Sequence, residues 1–382
     1  MAFLQAIRAS RATGTGLGVL GMFWGGFAAL MPDWQARSGV SDGTLGLLLL
    51  LSAVGGMGAM GIGPRLQGYL GHRSIPVFAV QLGLVGLVGW TIGSPLVLGL
   101  VLLWCGWSLA SLDIAVNVEI SHREAATGLS LMNWNHALFS FGLAAAAALA
   151  GLARHSGASP GEIMAATGIV VVCAAWAMRE PSSAVVEDLD HETRKATLPW
   201  AAVIPAGVIL FCSFVAENAT ESWSALHLQR SFDAPPGSGA AGPMMMGLMM
   251  GVGRVFGQIL AQRLGEMRLV AISVLIGAGG ALLTAFAPVQ VLAVAGVAMI
   301  GLGAAVIVPS ANSLLGARTS SRSRAMALSR AWLIGFTGYF IGPVVMGAIA
   351  EGAGLRAAFG AIALILLVIL PGLARLARVP QE

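Results

Sequence analysis

Lysine occurs once in this chain of 382 residues, at position 195, and charged residues of every kind make up only 10% of it. A soluble domain carries about 25%, so a fold bathed in water on all sides is excluded. Cysteine is almost as scarce. Cys105, Cys173 and Cys212 each fall in an apolar run and share no metal-type spacing. They read as free core thiols, and neither a metal site nor a disulfide framework is expected. No H-E-x-x-H, G-x-S-x-G or phosphate-binding loop occurs, so no motif supports an enzyme and no cofactor is implied. The N-terminal "MAFLQAIRASRATGTG" lacks an apolar region ending in an A-x-A cleavage site; the first long apolar run is expected to be retained. The formal charge of +4 is spread among hydrophobic stretches, and without a polar basic face a nucleic-acid partner is rejected.

What the chain has in quantity is apolar length. Hydrophobic residues make up 57%, and glycine contributes 52 positions. About 20 apolar residues cross a bilayer as a helix. Breaks at Pro, Gly and charge divide the sequence into twelve such runs, near 14–34, 43–64, 74–93, 95–119, 126–152, 160–178, 199–225, 241–262, 268–287, 290–313, 324–350 and 356–377. The one long polar connection, "REPSSAVVEDLDHETRKATLP", separates six runs from six. The expectation is an all-α polytopic membrane protein of twelve transmembrane helices in two pseudo-symmetric six-helix bundles. Residues 1–178 form the first bundle, 179–198 a cytoplasmic loop, and 199–382 the second.

Orientation follows from basic residues in the short loops. With the N-terminus inside, fifteen Lys and Arg lie in inner segments and only Arg37, Arg154, Arg230 and Arg356 in outer ones. Both termini are thus expected in the cytoplasm. The two halves also match each other. Leu70-Gly71 in "LQGYLGHR" pairs with Leu264-Gly265 in "LAQRLGEMR". Gly106 and Asn117 pair with Gly301 and Asn312 at nearly the same offset, and Leu129-Ser130 with Leu328-Ser329 at a slightly larger one. A duplicated unit with a site between its copies is a transporter signature.

Two stretches, "GLGVLG" (16–21) and "GMGAMG" (56–61), fit a dinucleotide fingerprint. Both lie in or at membrane spans rather than between a strand and a helix, so close helix packing is the better reading. Gly247, Gly251, Gly253 and Gly257 read the same way. Asn218-Ala-Thr220 is formally a glycosylation sequon but lies at a span and carries no weight.

Ionisable residues inside the spans carry more information. By helical rise, His136 sits about 20 Å from the inner edge, Asp113 roughly 15 Å and Arg254 about 14 Å. An ionisable group at such depth costs roughly 2.5–3.5 kcal/mol on insertion scales, so it should face water or a partner. Asp113, Asn117, His136, Glu217 and Arg254 are therefore the candidates for substrate binding and proton coupling. Trp24, Trp134, Asn135 and Asn312 are candidates to line the cavity. Glu119, Glu221 and Glu351 are expected near the interfaces and solvated, with Glu221 in an outer vestibule. Trp90 and Trp223 are expected as interfacial anchors.

Twelve spans in two related halves, with a Gly-x-Arg element after the second and a related one after the eighth, resemble the Major Facilitator Superfamily. Within it, "DIAVNVE" (113–119), "HALFSFG" (136–142), "AENATESW" (216–223), "GRVFGQILAQRLG" (253–265) and "GYFIGPVVMGAIAEGAGLR" (338–356) look most like the YbjJ-like branch of bacterial inner-membrane proteins. The resemblance implies a rocker-switch transporter with one central cavity. It also implies that Asp113, Asn117, Glu119, His136, Glu217 and Trp223 occupy the branch's polar positions. Glu221 stands where a neutral or amide residue is usual. Gly71, Arg73, Gln262, Arg263 and Gly265 correspond to the inner-gate motif, but the superfamily's aspartate is replaced by Gln67-Gly68 in one half and Gln262 in the other.

The function expected is a monomeric secondary active transporter of the inner membrane, moving a small organic solute by alternating access with protons as coupling ion. Exporters of lipophilic or cationic drugs and metabolites share this architecture. The methionines of "GPMMMGLMMGVG" (242–253) would suit such varied ligands. A lipid-handling protein, or a scaffold or sensor without transport, are alternatives of another class.

Overall fold

A computed structural model describes residues 2–129, 131–179, 198–320 and 323–380. The expected loop over 179–198 lies outside the described residues except at its ends, as do Ser130 of the internal repeat, Arg194, Lys195 and Arg322. The described chain is helical throughout, with no strand among the described residues. The first half holds α1 (Ala2–Ala9), α2 (Arg11–Ala29), α3 (Met31–Ser38), α4 (Asp42–Leu70), α5 (Ser74–Leu87), α6 (Pro95–Thr127), α7 (Met132–His155) and α8 (Pro160–Ala175). The second holds α9 (Trp200–Arg230), α10 (Ala241–Leu264), α11 (Glu266–Phe286), α12 (Gln290–Gly316), α13 (Arg324–Leu367) and α14 (Ile369–Ala377).

Local sequence sets several helix starts. Ser41, Ser94 and Ser159 each accept a hydrogen bond from the backbone N–H three residues on, satisfying one of the donors that a helix start leaves free. Pro95 and Pro160 stand at the first position of α6 and α8, where a missing N–H is harmless. Glu162 completes a reciprocal capping box with Ser159.

Both chain ends lie on one side of the helix array, here the near side. There Arg123 at the end of α6 donates to the Ala9 carbonyl, and Asn135 at the start of α7 donates to Ser10. In the second half, Arg318 at the end of α12 donates to the Leu376 carbonyl of α14. On the far side, Arg154 pairs with Asp33, and Arg230 with Asp42, both at 2.8 Å.

Eight helical stretches among the described residues are long and apolar enough to cross a membrane, or nine if the pair α2 and α3, bent by 53°, is one span. That differs from the twelve runs read in the sequence, and the reason is physical. The stretches 42–91 and 324–377 are 50 and 54 residues long, far beyond the roughly 20 that one crossing needs. Each contains a glycine with positive φ, Gly71 at 55° and Gly354 at 83°, a conformation that a Cβ disfavours. α10 carries Arg254 within its 24 residues.

Small residues bring the helices together. A Cβ at Gly21 would stand 2.0 Å from the Phe139 carbonyl oxygen, so only glycine lets α2 lie this close to α7. Gly247 and Gly251 of α10 sit against Ser140 and the Phe141 ring of α7. Cys105 and Cys212 are buried in the core, whereas Cys173 is exposed on α8, contrary to its expected place.

First-half and second-half helices meet along α4 with α13 and along α7 with α10. The far ends are drawn close. Gly46 lies against Pro343 and Gly347, Gly151 against Gly237 and Ala240, and the Gly43 N–H donates to Glu351 at 2.9 Å.

Candidate functional site

Two polar clusters face each other in the middle of the helix array. On the first-half side, α6 presents Asp113 and Asn117 one helical turn apart. The Asn117 Nδ2 donates to Asp113 Oδ1 at 2.9 Å and to the Asp113 carbonyl at 2.9 Å. From α7, His136 Nε2 lies 3.2 Å from Asn117 Oδ1. An amide oxygen only accepts, so in this arrangement the imidazole nitrogen carries a hydrogen. The three side chains form one chain from carboxylate through amide to imidazole, and all are partly exposed.

On the second-half side, α9 places Phe214, Glu217 and Glu221 on one face by its i, i+3, i+4 geometry. Arg254 enters from α10. Its Nη1 donates to Ser140 Oγ at 2.6 Å and to the His136 carbonyl at 3.2 Å, while Nη2 lies 3.5 Å from Glu217 Oε1. The guanidinium therefore spans the halves, tied to a buried carboxylate of its own half and to two neutral acceptors of the other. A buried carboxylate is tolerated in such a place when a cation and hydrogen bonds compensate it.

Glu221 corrects the sequence expectation. It is 3% exposed, not solvated in a vestibule. The Trp24 indole Nε1 of α2 donates to its Oε2 at 2.8 Å, and its buried Oε1 has no hydrogen-bond partner. Trp24 in turn stacks on Phe27, and Phe27 on Trp34. Trp223 is fully buried rather than interfacial, and Glu119 is also buried, bonded to Arg123 at 2.8 Å. The i, i+4 spacing of Glu119 and Arg123 was the available signal for that pair. Trp90 is half exposed, as an anchor would be.

Asn135 is placed differently from its expected cavity role. It is fully buried, with Nδ2 donating to Ser10 Oγ at 3.0 Å and to the Leu131 carbonyl at 2.8 Å. It ties α7 to the start of α2. Asn312 accepts from Trp332 Nε1 at 3.0 Å, and Trp134 is half-buried. Near the opposite ends of their helices, Gly71 and Gly265 occupy matching positions, both with positive φ, at the ends of α4 and α10. Arg73, Gln262 and Arg263 are exposed beside them, without side-chain hydrogen bonds among the described residues.

An aromatic cluster adjoins the acids. Phe214 lies 5.4 Å from Trp332, 5.4 Å from Phe336 and 4.9 Å from Tyr339, centroid to centroid. Tyr339 stands within electrostatic reach of Glu217, Glu221, Arg254 and Asp113. The methionines of α10 are less available: Met246 and Met250 are buried in the core.

Sequence reading missed Ser140 and the aromatic cluster, because neither departs from an ordinary membrane-span composition. It also passed over His227. That side chain is fully buried, lies 2.9 Å from the Thr284 carbonyl through Nε2 and 3.0 Å from Ser231 Oγ through Nδ1. Its ring is satisfied on both nitrogens, which fits a structural role.

Residues 206–382 match the family model of the Major Facilitator Superfamily. An uncharacterized MFS-type transporter of Yersinia pestis is 28% identical over 357 residues, spanning 92% of this chain and 91% of that protein. Among solved structures, a bacterial homolog of the human lysosomal transporter Spinster, in an inward-facing and occupied conformation, superposes with a TM-score of 0.71 at 14% identity. That match covers 97% of this chain and 96% of the other. The nucleoside transporter NupG gives 0.68 at 14% identity, covering 97% and 99%. At such identity the likeness is one of fold.

Proposed function

Because this chain belongs to the Major Facilitator Superfamily and is a multi-pass membrane transporter, we propose that it moves a small organic solute across the bacterial inner membrane by alternating access, coupled to protons. Residues 1–178 and 199–382 act as the two rocking units, joined by the connection over 179–198, and the protein works as a monomer. The basic-residue count puts both termini in the cytoplasm. The far side, where Asp42, Gly46, Arg230 and Gly347 draw the halves together, is then the periplasmic gate, and the site opens toward the cytoplasm.

The observation that carries this reading is the double hold of Arg254 on Glu217 and on Ser140 and the His136 carbonyl. A guanidinium shared between moving halves must change partners when they part. A proton or a charged substrate group arriving at Glu217 competes for the same contact. Asp113, Asn117 and His136 supply the facing half-site, and His136 exchanges protons with solvent through its partly exposed ring. The gate residues Gly71, Arg73, Gln262, Arg263 and Gly265 close the near side in the opposite state.

A thermal-shift screen of the purified protein against sugars, organic acids, amines and nucleosides at two pH values identifies a binder, since a ligand raises the stability of the state it binds. Uptake of that binder into proteoliposomes is then driven by a pH gradient. Loss of gradient-driven uptake in Glu217→Gln and in His136→Ala is the expected result. If both variants retain it undiminished, neither residue carries the proton and the coupling scheme fails.

A further inference from the structure

Resting on the site reading above, we propose that the substrate is a compact organic monocation, an amine or quaternary ammonium carried on an apolar or aromatic body. The central cluster holds three carboxylates, Asp113, Glu217 and Glu221, against one guanidinium, Arg254, among the described residues. Arg254 is already bound to Glu217, Ser140 and the His136 carbonyl, so little of its charge is left for an incoming anion. Asp113 has no cationic partner; its Oδ1 takes an amide hydrogen and its Oδ2 takes no hydrogen bond among the described residues. Glu221, 3% exposed, keeps one buried oxygen without a partner. Buried acids of this kind are relieved by a proton or by a cation, and an anionic solute supplies neither.

The aromatic wall points the same way by independent means. Phe214 lies within 5.4 Å of Trp332, Phe336 and Tyr339, and Phe336 within 6.0 Å of Trp332 and Tyr339, centroid to centroid; Phe214 precedes Glu217 by three residues on the same helix. Trp332, Phe336 and Tyr339 fall along one side of α13, and all three are partly exposed. Aromatic faces attract ammonium groups and cover their apolar substituents. A carboxylate beside an aromatic wall is thus a two-part receptor: the acid takes the charge and the rings take the body. A sugar could donate hydroxyl hydrogens to the acids but brings no positive charge to them, and a carboxylic acid would meet repulsion.

Binding of benzyltrimethylammonium, benzyl alcohol, benzoate and uridine to the full-length protein in nanodiscs tests this, read by tryptophan fluorescence and by thermal shift. The expected result is saturable binding of benzyltrimethylammonium at least tenfold tighter than of the neutral and anionic probes. Asp113→Asn should weaken it about tenfold, and Phe336→Leu, which keeps an apolar side chain of similar bulk, by several fold. Binding of benzoate or uridine in preference to the cation, with loss in Asp113→Asn or Arg254→Lys, overturns the substrate class and leaves the site reading standing. Cation binding unaltered in Asp113→Asn, Glu217→Gln and Phe336→Leu overturns both. Each variant is first matched to the parent by its size-exclusion profile, and Phe336→Tyr, which keeps the ring, should restore binding.

Discussion

The indole N–H of Trp24 reaches the carboxylate of Glu221 at 2.8 Å, joining α2 to α9 across 197 residues of sequence in a buried contact. Removing the donor by Trp24→Phe leaves both oxygens of a buried Glu221 without partners, a loss of about 1–3 kcal/mol for an unsatisfied polar group, and more where it is charged. The variant should unfold at a lower temperature than the parent. Trp24→Phe with Glu221→Leu should recover most of the deficit, because the stranded carboxylate is gone. A double variant as unstable as the single one would mean that Trp24 matters only for packing on Phe27.

Arg254 and Glu217 should show the same asymmetry more strongly. Breaking a buried ion pair from one side costs about 3–5 kcal/mol, whereas replacing both members is often neutral. The 3.5 Å separation and the 17% exposure of the arginine side chain put this pair at the lower end. Arg254→Met alone is expected to be the least stable form, and Arg254→Met with Glu217→Gln closer to the parent. A double-mutant cycle on thermal unfolding measures the coupling; a coupling near zero would show that Arg254 is held by Ser140 and the His136 carbonyl alone.

Much of this arrangement was legible in the sequence, and the parts that were not share a cause. Depth along a helix follows from counting residues, so Asp113, His136, Glu217 and Arg254 could be singled out by the cost of charge in an apolar run. Asn117 followed from its one-turn spacing to Asp113. Azimuth does not follow in the same way, because an all-apolar span has no polar face to set its rotation. Glu221 and Trp223 were accordingly put at the surface by depth alone, yet α9 is surrounded by other helices and buries both. Asn135 was expected to line the cavity, but adjacent positions on a helix point about 100° apart, and Asn135 turns from the side of His136 toward Ser10. The breaks between the sequence runs near 65–73 and 351–355 do coincide with turns in the two longest helical stretches, at Gly71 and Gly354.

The pair Arg230–Asp42 should behave as a gate contact rather than a source of stability. Its distance is 2.8 Å, with a second hydrogen bond to Asp42 Oδ1 from Gln35, but the arginine side chain is 42% exposed. An exposed pair contributes on the order of 0.2–1 kcal/mol and is screened by salt. Asp42→Asn should therefore change the unfolding temperature little. It should nonetheless open the far side measurably, because under a kilocalorie shifts a balanced two-state equilibrium several fold. Maleimide labelling of a cysteine introduced at Ala350, in a Cys173→Ser background, reports that opening. The parent in about 1 M salt, where the screening length falls to about 3 Å, should label like the variant.

Closure of that same side has a steric condition at Gly46. A Cβ there would lie 2.7 Å from the Pro343 carbonyl oxygen and 3.2 Å from the Gly347 Cα, and both obstacles are backbone. Neither can yield by changing a rotamer, so α4 and α13 must separate if the side chain is larger than hydrogen. Gly46→Leu should hold the far ends apart, label rapidly at a cysteine replacing Ala350, and fail to turn over in proteoliposomes while still inserting as a folded protein. A comparable change at Gly61, where nothing lies within 4 Å, should leave the far-side labelling at the parental level. Equal labelling of the two variants would show that the contact between Gly46 and Gly347 is not what limits opening.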